Sequence, residues 1–545
     1  MSLVLVDFER GKCYNVTCKF LKTKKEEFVS QQGGQKNMKA FKRMMALMLA
    51  ILMLASVVAC GGKTDDPAAT TTAQAGSEDT TTAATEQTYA DPKDDPANYD
   101  AEGYWKDDLP EELDYKGDVV SVLNWKAEEN EFEILEQTGI IVDDAIYQRN
   151  MNIEERLGVD LTFTQIEGSN SYIADFAQYV QQSYQSGSRD YDVIPTYSRT
   201  AAVLSTRGLY YNMNEIDDNY INLEQPWWPD CITSTVTIGD AIYFITGDCS
   251  TNVLHMMYTV WVNKDLIEEY QLEDPYTLVR NKQWTIDKLI ELTTNTYQDL
   301  NNNGSEDAND FFGFVGVDYG LDAFYTGSGL RLVDLHDTDF MIISPDYSSE
   351  KAVDLVDKLG AVCIGTDWNI SGDMGTIFKQ ERALFCQNRT YYAKRNLLEV
   401  EFSYGLVPTP MYDLEQEEYI SVLANPITLY GIMADVEEDR LSEMTAVIEC
   451  WASEGYRLTT PALFETNMKL KYSETSDESE MFDIVHDTIN LDLGRVFSKD
   501  LQYMSEIPSK AAAAGAAWSS RLAQYKKPLE SGLKKIVSSF EKIQG

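Results

Sequence analysis

The chain has 545 residues, 45 of them Lys or Arg and 89 Asp or Glu, for a formal net charge of −44. With 43% apolar and 25% charged residues it has a globular composition, and its length allows about two to four domains or lobes. The acidity argues against a nucleic-acid binder, which needs clustered Lys and Arg, and against docking on an anionic membrane through the protein's own surface. Three scattered histidines (His255, His336, His486) argue against a multi-histidine metal centre.

The charge is uneven. Residues 1–59 sum to +6 and the rest to −50. Met38-Lys39-Ala40-Phe41-Lys42-Arg43 is a basic stretch, followed by 16 residues, MMALMLAILMLASVVA (44–59), with no charge. A transmembrane helix needs roughly 20 apolar residues, so this order reads as a secretory signal. Val57-Val58-Ala59-Cys60-Gly61 resembles a bacterial lipobox, which implies cleavage before Cys60 and lipidation of that cysteine. Met38 is then the natural start, and residues 1–37 read as an upstream extension from a mis-assigned initiation site. Residues 60–114 follow as a lipid-anchored, disordered linker. Their 61–100 part is rich in Thr, Ala, Asp and Pro and has too little apolar surface to offset its ordering entropy.

Order is expected from about Leu109. Asp118–Leu123 reads as a buried strand, 143–157 as a helix stopped by Gly158, and 159–164 as a second strand. A helix near 171–186 and a strand at 191–195 complete a β-α-β-α-β order, which predicts a parallel sheet with helices on its faces. Ligands bind at the carboxyl ends of such strands, here after Leu123 and after Ile194. A hairpin is expected over 235–244 around Gly239-Asp240. A strand at 258–263, a helix at 264–270 and a helix capped by Thr285 come next. Phe311–Phe314 reads as a strand, and further helices are expected at 349–360, 440–454, 478–490 and 509–540. No fixed-period repeat is visible.

Several stretches, in order, resemble one family. They are the lipobox, DYKGDVVSVLNW (114–125), TGIIVDDAIYQRNMNIEERLGV (138–159), YDVIPTYSRTAAVLSTRGLYYNM (191–213), QPWWPD (225–230) with IYFITGD (242–248), WTIDKLIEL (284–292), ERALFCQNRTYY (381–392) and FSYGLVPTPMYDLEQEEY (402–419). Over about residues 110–495 the chain looks like the extracellular solute-binding lipoproteins of bacterial ABC importers, the carbohydrate-type, family 1-like group. The resemblance implies an α/β, two-lobed periplasmic-binding-protein-like type II fold with a hinge and an interlobe cleft. It places lobe one at 115–228 plus 406–428 and lobe two at 229–405 plus 429–545. It further implies a monomer that captures a saccharide without catalysis and hands it to the transmembrane subunits of an ABC permease.

A sugar cleft mixes aromatic faces, which stack on C–H surfaces, with acids, amides and arginine for the hydroxyls. Nine Trp and 32 Tyr supply many aromatics. Loop position nominates Trp125, Glu129 and Asn130 after the first strand, Tyr197 and Arg199 after the third, and Trp368 in a glycine-flanked loop. Trp227 and Trp228 at the expected crossover, Asp248 after the hairpin, and Tyr391 and Tyr392 after ERALFCQNR complete the set. For each aromatic, core or hinge packing is the competing reading. Trp261 and Trp284 read as core.

Asp299–Asp310 fits an EF-hand loop frame. Asp299, Asn301, Asn303 and Asp307 fall at positions 1, 3, 5 and 9, Gly304 at 6, and the Ser305 carbonyl at 7. Asp310 stands at position 12 in place of Glu, and no second helix follows. A structural calcium ion is expected, against a polar Asx-rich turn. Five cysteines remain beyond Cys60: Cys231, Cys249, Cys363, Cys386 and Cys450. Cys231 and Cys249 flank the expected hairpin, and both a bridge and two free thiols fit. No nucleotide-binding, serine-hydrolase or zinc-protease motif is present. The alternatives are a secreted lipoprotein glycoside hydrolase, which needs only two carboxylates, and a non-transporting carbohydrate-binding or sensor protein.

Overall fold

The computed structural model describes residues 3–7, 12–16, 95–336, 340–372, 374–469 and 475–544. Leu3–Asp7 and Lys12–Val16 pair as an antiparallel ladder. The signal 38–59 and Cys60 lie outside the described residues, as does the first part of the linker. Among the described residues no helix is long and apolar enough to cross a membrane.

The body begins earlier than its composition suggested. Residues 95–114, expected as linker, are fixed by polar contacts. Tyr99 and Trp105 meet edge to face at 5.3 Å between ring centres. The buried Asp107 carboxylate lies between Arg156 (2.6 Å) and Arg457 (2.9 Å). Burial alone would raise Asp107, but the two guanidiniums outweigh it and hold its carboxyl below the usual range. This acidic segment docks through ion pairs as well as through Leu109, buried in the core, and Trp105, packed against it, so its few apolar residues count for more than their number.

Two sheets organise the body. The first has four strands in the order Thr428–Ile432, Val193–Tyr197, Asp118–Trp125, Val159–Ile166. Its last three are parallel, as the β-α-β-α-β pattern predicted. The connecting helices are Ile141–Leu157 and Ile173–Ser186. Gly158 ends the first of them in the left-handed region (φ 61°) and returns its N–H to the Glu154 carbonyl. A Cβ there would also displace the Asp114 carboxylate, so φ favours glycine and the neighbouring side chain adds to that preference.

The second sheet has five strands in the order Trp368–Asn369, Phe312–Val315, Ala383–Arg389, Tyr258–Asn263, Tyr404–Val407. Tyr258–Asn263 runs antiparallel to both of its neighbours. The chain therefore returns to the first sheet later than the resemblance implied. Tyr404–Val407, expected near the return at 406, is hydrogen-bonded into the second sheet. The returning strand is Thr428–Ile432, antiparallel to Val193–Tyr197. Leu441–Glu454, expected in lobe two, packs on Ile141–Leu157 and on this returning strand. Short apolar strands look alike in sequence whichever sheet they join. Ser476–Asp487 packs against Tyr404–Val407, and the long helix Trp518–Gln544 touches Glu350–Cys363 as well as Ser198–Thr206.

The expected hairpin about Gly239-Asp240 is present but shorter than 235–244. Asp230–Val236 is helical, and only Thr237–Ile238 and Ala241–Ile242 pair across Gly239-Asp240. Cys231 therefore sits on a helix, and all five body cysteines are free thiols. Burial raises the Cys231 thiol to about 11, so it is not a thiolate at neutral pH.

Candidate functional site

A cavity of about 400 Å³ lies between the carboxyl end of the first sheet and the facing edge of the second. The first sheet contributes Tyr197, its last residue in that strand, and Arg199 in the first turn of Ser198–Thr206. The second contributes Tyr258, opening its strand, and Gln387, Asn388 and Arg389, closing theirs. Ala424-Asn425-Pro426, just before the returning strand, forms the back wall. Asp322, Arg495 and Glu506 reach in from short helical segments of the second half.

Asn425 ties this wall together. Its Oδ1 accepts from Arg199 Nη2 (3.2 Å) and Arg495 Nη1 (3.4 Å), and its Nδ2 donates to the Arg495 carbonyl (2.9 Å). Arg199 also donates to Asn170 Oδ1 (3.0 Å) and to Glu506 Oε1 (3.0 Å), with its guanidinium over the Tyr503 ring. Arg495 Nη2 lies 2.8 Å from Asp322 Oδ2, both side chains being buried. Burial raises the Asp322 carboxyl to about 6 despite that arginine. Glu506 goes the other way: burial would raise it, but Lys510 and Arg199 hold it below the usual range. The wall is thus a set of fixed donors and acceptors, suited to reading hydroxyl positions.

At the edge of this site the two halves touch. Glu129 Oε1 accepts from Tyr391 Oη (2.8 Å), and Oε2 pairs with Lys394 Nζ (2.7 Å). Glu129 follows the strand Asp118–Trp125 of the first sheet, and Tyr391 and Lys394 follow Ala383–Arg389 of the second. Glu128, beside it, lines the cavity. His255 packs edge to face on Tyr391, and burial together with Lys394 lowers it to about 3, so it is neutral.

The nominated residues divide clearly. Tyr197 and Arg199 line the cavity, and Glu129 and Tyr391 bridge its two sides. The others are held elsewhere. Trp125 is buried, tilted against the Tyr197 ring, with its indole N–H given to Thr428 Oγ1 (2.9 Å). Asn130 closes its own turn on the Phe132 N–H and the Glu133 carbonyl. Trp227 and Trp228 give their indole N–H groups to the two oxygens of Glu449 (3.0 and 2.9 Å). Asp248 is half-buried, accepts from Thr460 Oγ1 (2.7 Å) and is raised to about 6 by desolvation. Trp368 stacks on Phe314 and donates to Thr293, and Tyr392 donates to the Gly375 carbonyl. In each case the aromatic ring or acid serves packing. Gln387, Asn425, Asp322, Arg495 and Glu506 were not foreseen. The available signal was a polar residue inside an apolar run, as in ALFCQNR and LDLGRVF.

The Asp299–Asp310 loop satisfies its own carboxylates. Asp299 accepts from the Asn303 and Gly304 N–H groups, and Asp307 from the Asn301 and Asn303 side-chain amides. Asp310 is buried and accepts from Tyr297 Oη, Leu300 N and Asp307 N. Among the described residues no three acidic, histidine or cysteine side chains are placed to share a metal ion. Oxygen coordination requires Asn301 and Asn303 to turn their amides away from Asp307.

No protein-family model matches the chain, and no curated protein matches it in sequence. Its structure is similar to that of the cyclic α-maltosyl-1,6-maltose binding protein of Arthrobacter globiformis (TM-score 0.53, 14% identity, 77% of this chain and 99% of that one). It is also similar to a cyclo/maltodextrin-binding protein complexed with maltotetraose (TM-score 0.50, 12% identity, 79% and 98%). A third is the galacto-N-biose-/lacto-N-biose I-binding protein of an ABC transporter of Bifidobacterium longum (TM-score 0.50, 9% identity, 78% and 98%). The chain therefore has the α/β periplasmic-binding-protein fold of these sugar-binding proteins.

Proposed function

We propose that this chain is the solute-binding component of an ABC importer and that it holds a saccharide in the cavity between its two sheets. The carrying observation is the cavity itself. It is lined from both sheets and from the strand return by hydrogen-bonding groups fixed by one another, in a fold whose solved examples include sugar-binding proteins. Closure of the two halves on the solute presents one shape to the permease subunits. Hydrolysis is not supported. Of the three carboxylates lining the cavity, Asp322 and Glu506 are each tied to an arginine, which leaves only Glu128 and no pair free to act as acid and base.

The anchor belongs to the same proposal. Cleavage before Cys60 and lipidation of its thiol keep a strongly acidic, monomeric body at the outer face of the membrane. A calcium ion on Asp299, Asn301, Asn303, the Ser305 carbonyl, Asp307 and Asp310 is proposed on their spacing alone, as a clamp on that loop.

The test is a thermal-shift and calorimetric screen of the purified chain against mono- and oligosaccharides. Stabilisation by a saccharide, with no reducing ends released on incubation, is expected. A shift with peptides or other solutes and none with any saccharide overturns the ligand class.

A further inference from the structure

The cavity holds three arginines with different surroundings. Arg199 and Arg495 each face a carboxylate, Glu506 and Asp322 respectively. Arg389, half-buried, forms no ion pair among the described residues, although Glu128 and Asp322 line the same cavity. Its nearest polar contact is the Met256 sulfur, 3.1 Å from Nη1, and a thioether is a weak acceptor for a guanidinium with five N–H donors.

Gln387 lies two residues earlier on the same strand and therefore on the same face. Its side chain is buried, yet neither Nε2 nor Oε1 has a hydrogen-bond partner among the described residues. Leaving both ends of a buried amide unmet is costly unless something else meets them. Tyr258, directly across the ladder from Arg389, completes the wall. One end of the cavity thus offers a cation without an ion pair and an amide with both ends unmet, while at the other end the charges are paired, Arg199 with Glu506 and Arg495 with Asp322, although Arg199 Nε, Arg495 Nε and Asp322 Oδ1 also lack a hydrogen-bond partner.

We propose that Arg389 and Gln387 form a subsite for a carboxylate carried by the saccharide, so that the solute is an acidic sugar of the uronate class. This rests on the saccharide reading of the cavity. The guanidinium takes the carboxylate in a two-pronged pair, and Gln387 takes a neighbouring hydroxyl as both donor and acceptor. The overall negative charge does not forbid this, because it is screened within about 8 Å at physiological salt while the pair forms at contact.

Calorimetric titration of the full chain decides it, with four probes: a galacturonic-acid trimer, its methyl ester, maltotriose and a sulfated disaccharide. The acid is expected to bind about 10- to 100-fold more tightly than its ester, the range of a hydrogen bond to a charged group. Arg389→Gln should erase that difference, and Arg389→Lys should keep part of it. Both variants are checked for an unchanged melting temperature. Equal binding of acid and ester, or a preference that survives Arg389→Gln, overturns the subsite while leaving the saccharide reading intact. Preference for the sulfated probe overturns the carboxylate assignment. Failure of every saccharide overturns the reading on which the subsite rests.

Discussion

Replacing Glu129 by Gln tests whether the two halves are latched as well as packed. The carboxylate makes two contacts across the cavity edge, to Tyr391 Oη and to Lys394 Nζ. The ion pair is partly solvated, with 29% of the Glu129 and 40% of the Lys394 side chain exposed, so its worth is about 1 kcal/mol at most. That corresponds to roughly fivefold in the ratio of closed to open forms. Glu129→Gln and Lys394→Met should each weaken saccharide binding by about that factor. The double variant should be no worse than the weaker single, because the second change removes a partner already lost. Small-angle scattering should show a larger radius of gyration for the ligand-free variants and the same radius once saccharide is saturating. Additive losses, or unchanged affinity and radius in both singles, would show that the contact is incidental to closure.

Three further outcomes are expected. Arg199→Met leaves Glu506 buried with only the exposed Lys510 as partner, so it should cost about 3 kcal/mol in urea unfolding. Adding Glu506→Gln should recover part of that loss, and a further fall of similar size would refute the pairing. Burial raises Glu449 to about 8 and Asp492 to about 6, above their unfolded values, so their contribution is present below about pH 4 and is lost as pH rises through 6 and 8. The melting temperature should fall between pH 5 and 8.5, and Glu449→Gln should flatten the upper part of that fall. It should also lower stability by about 1–3 kcal/mol, because one of the two indole N–H groups loses its acceptor. Finally, calcium should raise the melting temperature and a chelator lower it, with the response abolished by Asp299→Ala. Identical melts in calcium and chelator remove the calcium proposal.

The sequence was most legible where a local rule acts alone. Gly158 stops its helix, Thr285 caps one on the Lys288 N–H, and Tyr258–Asn263 is a strand over the expected residues. It was least legible where two distant segments decide the outcome. Whether Tyr404–Val407 or Thr428–Ile432 completes the first sheet depends on pairing partners far away in the chain, Tyr258–Asn263 for the one and Val193–Tyr197 for the other. The site shows the same division. Abundant aromatics suggested stacking surfaces, but Trp125, Trp227, Trp228 and Trp368 are fully buried and spend their N–H groups on Thr428, Glu449 and Thr293. Large rings contribute most to a core, so counting them finds the interior first. The polar wall was missed because Arg495, Asn425 and Asp322 gain meaning only when the fold brings them together.

The late return of the chain to the first sheet has a consequence for how the molecule can be divided. Strands 118–125, 159–166 and 193–197 need 428–432 as their neighbour, while the intervening 258–263, 312–315, 383–389 and 404–407 build the other sheet. Neither half is a contiguous stretch of gene. Expressed alone, residues 95–257 would expose the edge of Val193–Tyr197 as an unpaired template for aggregation. A single proteolytic nick near 413–418, by contrast, would leave the whole second sheet in the first fragment and let the second fragment still supply Thr428–Ile432 to the first sheet, so that the two remain associated. Such a chain is hard to trim into separate modules but tolerant of being cut once in place.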